Sequence, residues 1–466
     1  MTLLRELRSK FIGDRAFYKR VLTITLPIMI QTGLTNFVSF LDNIMVGRVG
    51  TEQMSGVAIV NQLLFVFFLC IFGGMAGAGL FTAQYYGKKD YEGVRDTFRY
   101  KLMLGFFLCL LAFVIFHKSG DDLILLYLQG EGSAGDAEST FIHARNYLGI
   151  LLWSLPAIAL GQIYSNTLRE CSQTLVPMKA GLAALVVNLV MNYLLIYGKF
   201  GFPVLGVKGA ALATVLSRYT EVLTVVIWAH SHIDKCPYLT GVYKKILIPF
   251  ALFKKIFITG MPLLINEALW SSGVAILAQC YSTRGLNVVA AYQILGVISN
   301  VFNVVFFSMG DAIAIIVGQH LGAGDLKKAR DDDNKIIAFS VFIAMGVALL
   351  LAVFSPFFPL LYNTNDGARH LATQFLLVQA LFTPQIALLH TTYFTIRSGG
   401  RTVITFLFDS FYMWVVCVPL AYCLSRYTNL HVIPLFCLMQ MSEWIKCIIG
   451  FILVKNGSWM NNIVKD

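Results

Sequence analysis

Charge is what this sequence has least of: Asp, Glu, Lys and Arg together make up 13% of its 466 residues, about half the share usual in a soluble domain. That scarcity excludes a soluble globular chain, a disordered one and a coiled coil, each of which needs a largely polar surface. Cys-x-x-Cys pairs are absent, and Cys70, Cys109, Cys280, Cys417, Cys437 and Cys447 fall within apolar runs. A disulfide scaffold is thereby excluded, and these cysteines read as small core hydrophobes. His230, His232 and Cys236 stand close together but lack a fourth nearby ligand, so no structural metal is expected there. No P-loop occurs, which excludes ATP as the energy source. The glycine-rich run Phe72 to Gly79 lies inside an apolar stretch and reads as close helix packing, not as a nucleotide loop.

What is present is hydrophobic length. Apolar residues make up 57% of the chain, the mean hydropathy is +0.70, and a membrane-crossing helix needs roughly 20 such residues. Spans are predicted over 21–46, 55–82, 101–117, 144–168, 175–198 and 207–229, then over 256–283, 288–317, 336–361, 370–396, 402–424 and 430–454. The formal net charge of +11 would suit nucleic acid, but its Lys and Arg sit in the turns between apolar runs, so the expected partner is the lipid bilayer and not nucleic acid. Twelve spans put both termini on one side. Of the 36 Lys and Arg residues, 26 fall on that side, eight on the other, and Arg218 and Lys446 within spans. This asymmetry predicts cytoplasmic termini. Met1 to Arg20 is basic and polar and leads directly into the first span, which is not the pattern of a cleaved signal peptide.

The two halves repeat. A shift of 235 residues superposes Pro27 on Pro262, Gln84 on Gln319, Gly87 on Gly322, Asp90 on Asp325 and Arg95 on Arg330, and a shift of 228 superposes Thr167-Leu168-Arg169 on Thr395-Ile396-Arg397. The predicted fold is therefore all-α and polytopic, twelve transmembrane helices in two six-helix lobes related by a pseudo-two-fold axis along the membrane normal. Its expected domains are a cytoplasmic segment 1–20, an N-terminal lobe 21–229, a linker 230–254, a C-terminal lobe 255–455 and a tail 456–466.

Leu41 to Gly50 (L-D-N-I-M-V-G-R-V-G), Asn188 to Ala213 and the duplicated Q-x-x-G-x-x-D resemble the multidrug and toxic compound extrusion (MATE) transporters over nearly the whole chain. The resemblance implies two lobes forming a V and export of organic cations in exchange for protons or sodium ions. It also implies a bend of the first helix at Pro27, where the missing N–H makes one physically expected.

Intramembrane polar residues give the candidate site. Asp42 lies roughly 32 Å along the first span, and Asn188 and Asn192, one helical turn apart, roughly 20 to 25 Å along the fifth. A carboxylate with two carboxamides suits a proton or a sodium ion. The family carries an Asp at the position matching Asp42 and an Asn and an Asp matching Asn188 and Asn192; this chain has Asn at the last, one negative charge fewer. Glu267, near the middle of the seventh span in M-P-L-L-I-N-E, is the candidate contact for substrate or a second cation, again matching a family Glu. A family Asp in the tenth span is Ile386 here, and Asp409 is the candidate substitute for it, with pairing to Arg401 or Arg397 as the alternative. Arg218 with Glu221, and Glu443 with Lys446, are three residues apart and are expected to neutralise each other.

No catalytic residues, no cofactor beyond a coupling H+ or Na+, no metal beyond sodium at Asp42, Asn188 and Asn192, and no enzyme activity are expected. The partner is a small cationic or amphipathic molecule, handled by a monomer. Two alternatives remain: a flippase for lipid-linked oligosaccharide or another lipid, which should carry a basic cleft where this chain has mainly acids, and an intramembrane aspartyl protease, whose Y-D and G-x-G-D strings are absent.

Overall fold

The structure, a computed structural model, describes residues 10–128, 134–245, 247–362 and 364–465, without the side chains of 39, 40, 43, 44, 134 and 135. Residues 1–9 of the expected N-terminal segment, 246 of the expected linker and 466 of the expected tail lie outside the described residues. Among the described residues twelve helices are long and apolar enough to cross a membrane, and no strand occurs. The chain is an all-α polytopic membrane protein. Its helices are α1 (Arg15–Gly47), α2 (Thr51–Lys88), α3 (Tyr91–Leu128), α4 (Ala134–Leu151 and Leu155–Glu170), α5 (Leu175–Tyr197) and α6 (Val207–Ser231). The second half supplies α7 (Phe250–Ser282), α8 (Leu286–Gly322), α9 (Leu326–Phe354), α10 (Asp366–Ser398), α11 (Thr402–Tyr427) and α12 (Val432–Asn456).

Proline and capping set the ends that hydropathy misplaces. The ninth span, expected over 336–361, runs from Leu326 to Phe354. Pro356 has no N–H with which to continue the helical ladder, although the backbone at Ser355 is still helical. At the other end the Asp325 carboxylate accepts from the Lys328 backbone N–H at 3.0 Å, a cap that starts the helix within a polar stretch. In α4 a short 3-10 turn, Leu152–Ser154, precedes Pro156, which then sits in the first turn of the restarted helix, where its missing N–H costs nothing.

Packing divides the chain into two compact units. One comprises Pro27–Thr82 and Tyr91–Lys255; the other comprises the described part of Met1–Leu26, with Ala83–Asp90 and Ile256–Asp466. The division falls inside α1 at Pro27 and inside α2 after Thr82. In the first unit Ser217 Oγ on α6 donates to the Ala184 carbonyl of α5 at 2.8 Å, and a buried pair joins Lys101 of α3 to Glu170 of α4. The second unit centres on Tyr281, Phe375, Phe436 and their apolar neighbours; the rings of Phe375 and Phe436 meet edge to face at 5.1 Å and 88°.

The duplicated motif is a helix stop followed by a helix start. Lys89 and Gly324, related by the 235-residue shift, both adopt left-handed backbone, with φ of 61° and 80°. Asp90 N–H then donates to the Tyr85 carbonyl at 2.9 Å and Asp325 N–H to the His320 carbonyl at 3.0 Å, closing each helix end. The motif's arginines reach the far end of their own half: Arg95 Nε donates to the Tyr238 carbonyl of the chain after α6 at 3.2 Å and Arg330 Nη2 to the Lys455 carbonyl in the last turn of α12 at 2.6 Å.

The glycines of the motif serve a close crossing of α2 with α8. A Cβ on Gly87 would overlap the backbone of Gln319, and a Cβ on Gly322 would overlap the backbone of Gln84. Beside this crossing, the segment after α12 is packed in. Trp459 is 1% exposed, Gln84 Nε2 donates to the Ser398 and Asn461 carbonyls at 3.1 and 3.2 Å, and Ile463 N–H donates to Gln84 Oε1 at 2.8 Å.

Candidate functional site

Three of the residues singled out in the sequence meet in the first unit. Asn192 Nδ2 donates to Asp42 Oδ1 at 2.5 Å and to Asn188 Oδ1 at 3.1 Å. The two asparagines share a face of α5 because they are one turn apart, and each is 1% exposed. Asn192 Oδ1 is buried with no hydrogen-bond partner among the described residues. Asp42 is partly buried and forms no ion pair among the described residues. Arg218 acts on it electrostatically, but the guanidinium's ion-pair partner is Glu221, at 3.0 Å, as the sequence spacing predicts. Above this cluster Tyr197 donates its hydroxyl to the Met45 carbonyl at 3.0 Å, tying α1 to α5. The arrangement offers carboxylate and carboxamide oxygens to a small cation and a carboxylate to a proton.

Tyr147, buried on α4, is an unforeseen neighbour that interacts with Asp42. A lone tyrosine in a predicted span carries no signal that would have distinguished it from other aromatics. Pro27 lies inside α1, and its repeat mate Pro262 lies inside α7.

In the second unit Asp409 is engaged, and not with the partner expected. Lys446 of α12 meets Asp409 Oδ1 at 2.7 Å while also forming the expected ion pair with Glu443, at 3.8 Å. Neither Arg401 nor Arg397 pairs with Asp409 among the described residues: Arg401 Nε donates to the Ser458 carbonyl at 3.3 Å, and the Arg397 guanidinium lies 5.9 and 5.3 Å from the rings of Tyr393 and Phe394. Lys446 thus has one acidic partner across the helices and one on its own helix, and α11 is locally widened where it carries Asp409. Leu407–Phe411 and Met413–Cys417 are π-type turns, which re-aim the side chains they carry.

Asn266, which the sequence reading passed over, organises this centre. Its Nδ2 donates to Asp409 Oδ2 at 3.1 Å, its Oδ1 accepts from the Ser410 N–H at 3.2 Å, and its carbonyl accepts from Ser410 Oγ at 2.8 Å. The signal was its position directly before Glu267. Glu267 is partly buried, lies within electrostatic reach of Arg397 and Asp409, and forms no ion pair among the described residues. Ile386 packs beside Phe306, Ala344, Val347 and Ala387. The 235- and 228-residue shifts relate Asn266 and Asp409 to Gln31 and Gly181; a Cβ added to Gly181 would lie 3.5 Å from the Gln31 side chain, and Gln31 accepts from Arg169 Nη2 at 2.6 Å.

His230, His232 and Cys236 have separate surroundings. His230 Nε2 meets Tyr164 Oη at 3.0 Å, His232 Nδ1 meets the Trp228 carbonyl oxygen at 3.0 Å, and the Cys236 side chain is fully buried.

Comparison with known proteins places this arrangement. The MatE family model matches residues 27–194 and 262–423. The chain is 23% identical to the probable multidrug resistance protein NorM of Thermotoga maritima, over 96% of this chain and 94% of that protein. It is 26% identical to the multidrug resistance protein PmpM of Pseudomonas aeruginosa, over 90% and 86%. Among solved structures, an outward-facing multidrug resistance MATE family transporter superposes with a TM-score of 0.85 at 20% identity, covering 96% of this chain and 97% of that one, and a MATE structure in a bent conformation superposes with 0.84, covering 96% of each. With a family model spanning both halves of a twelve-helix chain, the protein belongs to the MatE family, the multidrug and toxic compound extrusion transporters.

Proposed function

We propose that this protein is a secondary active antiporter of a bacterial plasma membrane, exporting organic cations or amphipathic drugs in exchange for protons or sodium ions. Its two lobes would alternate access as a monomer with both termini in the cytoplasm. One observation carries the reading: Asp42, Asn188 and Asn192 form a hydrogen-bonded cluster in which the acid holds no ion pair and one amide oxygen is unsatisfied. An acid in a membrane span without a fixed basic partner is expensive unless it serves an ion. A sodium ion would be held by the Asp42 carboxylate and the carboxamide oxygens of Asn188 and Asn192; a proton would sit on Asp42. Pro27 serves as the hinge of α1, and Glu267, with Asp409 and Asn266 behind it, contacts the cationic cargo or a second coupling ion. The acidic character of these groups supports a cationic cargo over a polyanionic lipid.

The test is efflux of a fluorescent organic cation from proteoliposomes, driven by a pH gradient alone or a sodium gradient alone. Asp42→Asn should reduce ion-driven efflux to passive leak while leaving insertion intact. Full efflux by that variant overturns the assignment.

A further inference from the structure

One buried acid stands outside the site described so far. Asp333 lies in α9 at 1% exposure. Its Oδ1 is 2.6 Å from Thr395 Oγ1 on α10, and its Oδ2 is buried with no hydrogen-bond partner among the described residues. Thr395 Oγ1 is also 2.9 Å from the Thr391 carbonyl oxygen. A hydroxyl has one hydrogen and a carbonyl has none to give. With Asp333 ionised, the Thr395 hydrogen must choose between carboxylate and carbonyl, one of the two short oxygen contacts is left without a proton, and a charged Oδ2 stays bare. A proton on Asp333 Oδ1 completes the order: the acid donates to Thr395 Oγ1, and Thr395 donates to the Thr391 carbonyl. The bare Oδ2 is then a neutral carbonyl oxygen, far cheaper to bury than half of a carboxylate.

The charged groups nearby are committed elsewhere. On α9 itself, Asp332 meets His320 Nε2 of α8 at 3.0 Å, Arg330 donates to the Lys455 carbonyl, and Lys335 lies over the Phe17 ring at 5.7 Å. His320 Nε2 also faces Arg20 at 3.2 Å. On α10, Arg397 is held against Tyr393 and Phe394. Among the described residues no cation pairs with Asp333, so the ligand that suits it is a proton.

We propose that Asp333 is a proton-binding site in the seam between α9 and α10, a carboxylic acid that carries its proton while the seam is closed and sheds it only when α9 and α10 part enough to admit water. The Thr of the duplicated T-[LI]-R string then acts as the relay between the acid and the α10 backbone. This holds whether or not Asp42 is the coupling site.

The experiment is infrared spectroscopy of the full chain in lipid at neutral pH, with 13C in the aspartate carboxyl groups only. Asp333→Asn should remove one isotope-shifted band of a protonated carboxyl, and Thr395→Val should keep that band but move it, because its acceptor is gone. An unchanged spectrum for Asp333→Asn overturns the proposal. Should that variant fail to fold, an unmoved band in Thr395→Val overturns it instead. Asp42→Asn should leave the Asp333 band in place, so the two assignments fail separately.

Discussion

The Asp409–Lys446 pair makes a sharp energetic prediction, because both partners are largely desolvated, with side-chain exposures of 15% and 10%. Replacing Asp409 by Leu strands the ammonium of Lys446. Removing one partner of a buried pair costs about 3–5 kcal/mol. Glu443, 3.8 Å away, retains part of the attraction, so the low end applies. The same substitution removes the acceptor at 3.1 Å from Asn266 Nδ2, adding about 1 kcal/mol. The single variant should therefore lose about 4 kcal/mol. Replacing Lys446 by Met in the same chain removes the stranded charge, and a buried pair exchanged for apolar groups is close to neutral, so the double variant should lose only about 1–2 kcal/mol. The assay is denaturant unfolding in mixed micelles followed by tryptophan fluorescence for wild type, both singles and the double. A coupling energy of at least about 2 kcal/mol is expected. Additive losses, or a single variant within about 0.5 kcal/mol of wild type, would refute the reasoning.

Three further outcomes follow from local geometry. Trp459→Ala, at a side chain with 1% exposure, should cost about 3–5 kcal/mol and raise protease sensitivity of the segment after α12; unchanged cleavage there would contradict the packing described. Lys89→Gly should raise stability by about 0.5–1 kcal/mol, the relief of left-handed strain less the entropy cost of glycine, measured in the same unfolding assay. Burial pushes the thiols of Cys171 and Cys236 up from their ordinary value. A raised thiol holds less thiolate at pH 8, so both should resist maleimide in the folded protein and react once denatured.

Much of the fold was legible because its signals are long or repeated. Apolar length alone locates the twelve spans, since no other arrangement hides that much hydrocarbon. The repeat offset relates Lys89 to Gly324, and both adopt the same left-handed backbone at a helix end. Asp42, Asn188 and Asn192 were legible because polar groups in a span are rare and the helical period puts the asparagines on one face. What failed to show is interhelical. Spacing within one helix pairs Lys446 with Glu443, as found, but discloses nothing of Asp409 on α11, which lies nearer the ammonium. Tyr147 and Asp333 were invisible for the same reason, as each is given meaning by a residue on another helix. The end of α9 was misplaced because hydropathy does not register that Pro356 cannot donate.

The reciprocal crossing of Gly87 and Gly322 has a consequence beyond stability. Each glycine accommodates the main chain beside the other's partner glutamine, so the two copies of the motif meet as identical subunits do across a dyad in a homodimer, here within one polypeptide. A methyl group added to either copy strikes a peptide unit that no rotamer change can move aside, and a second methyl on the other copy adds an equivalent clash without relieving the first. Such a joint admits no mutual compensation, and the two sequences at that spot are constrained as one.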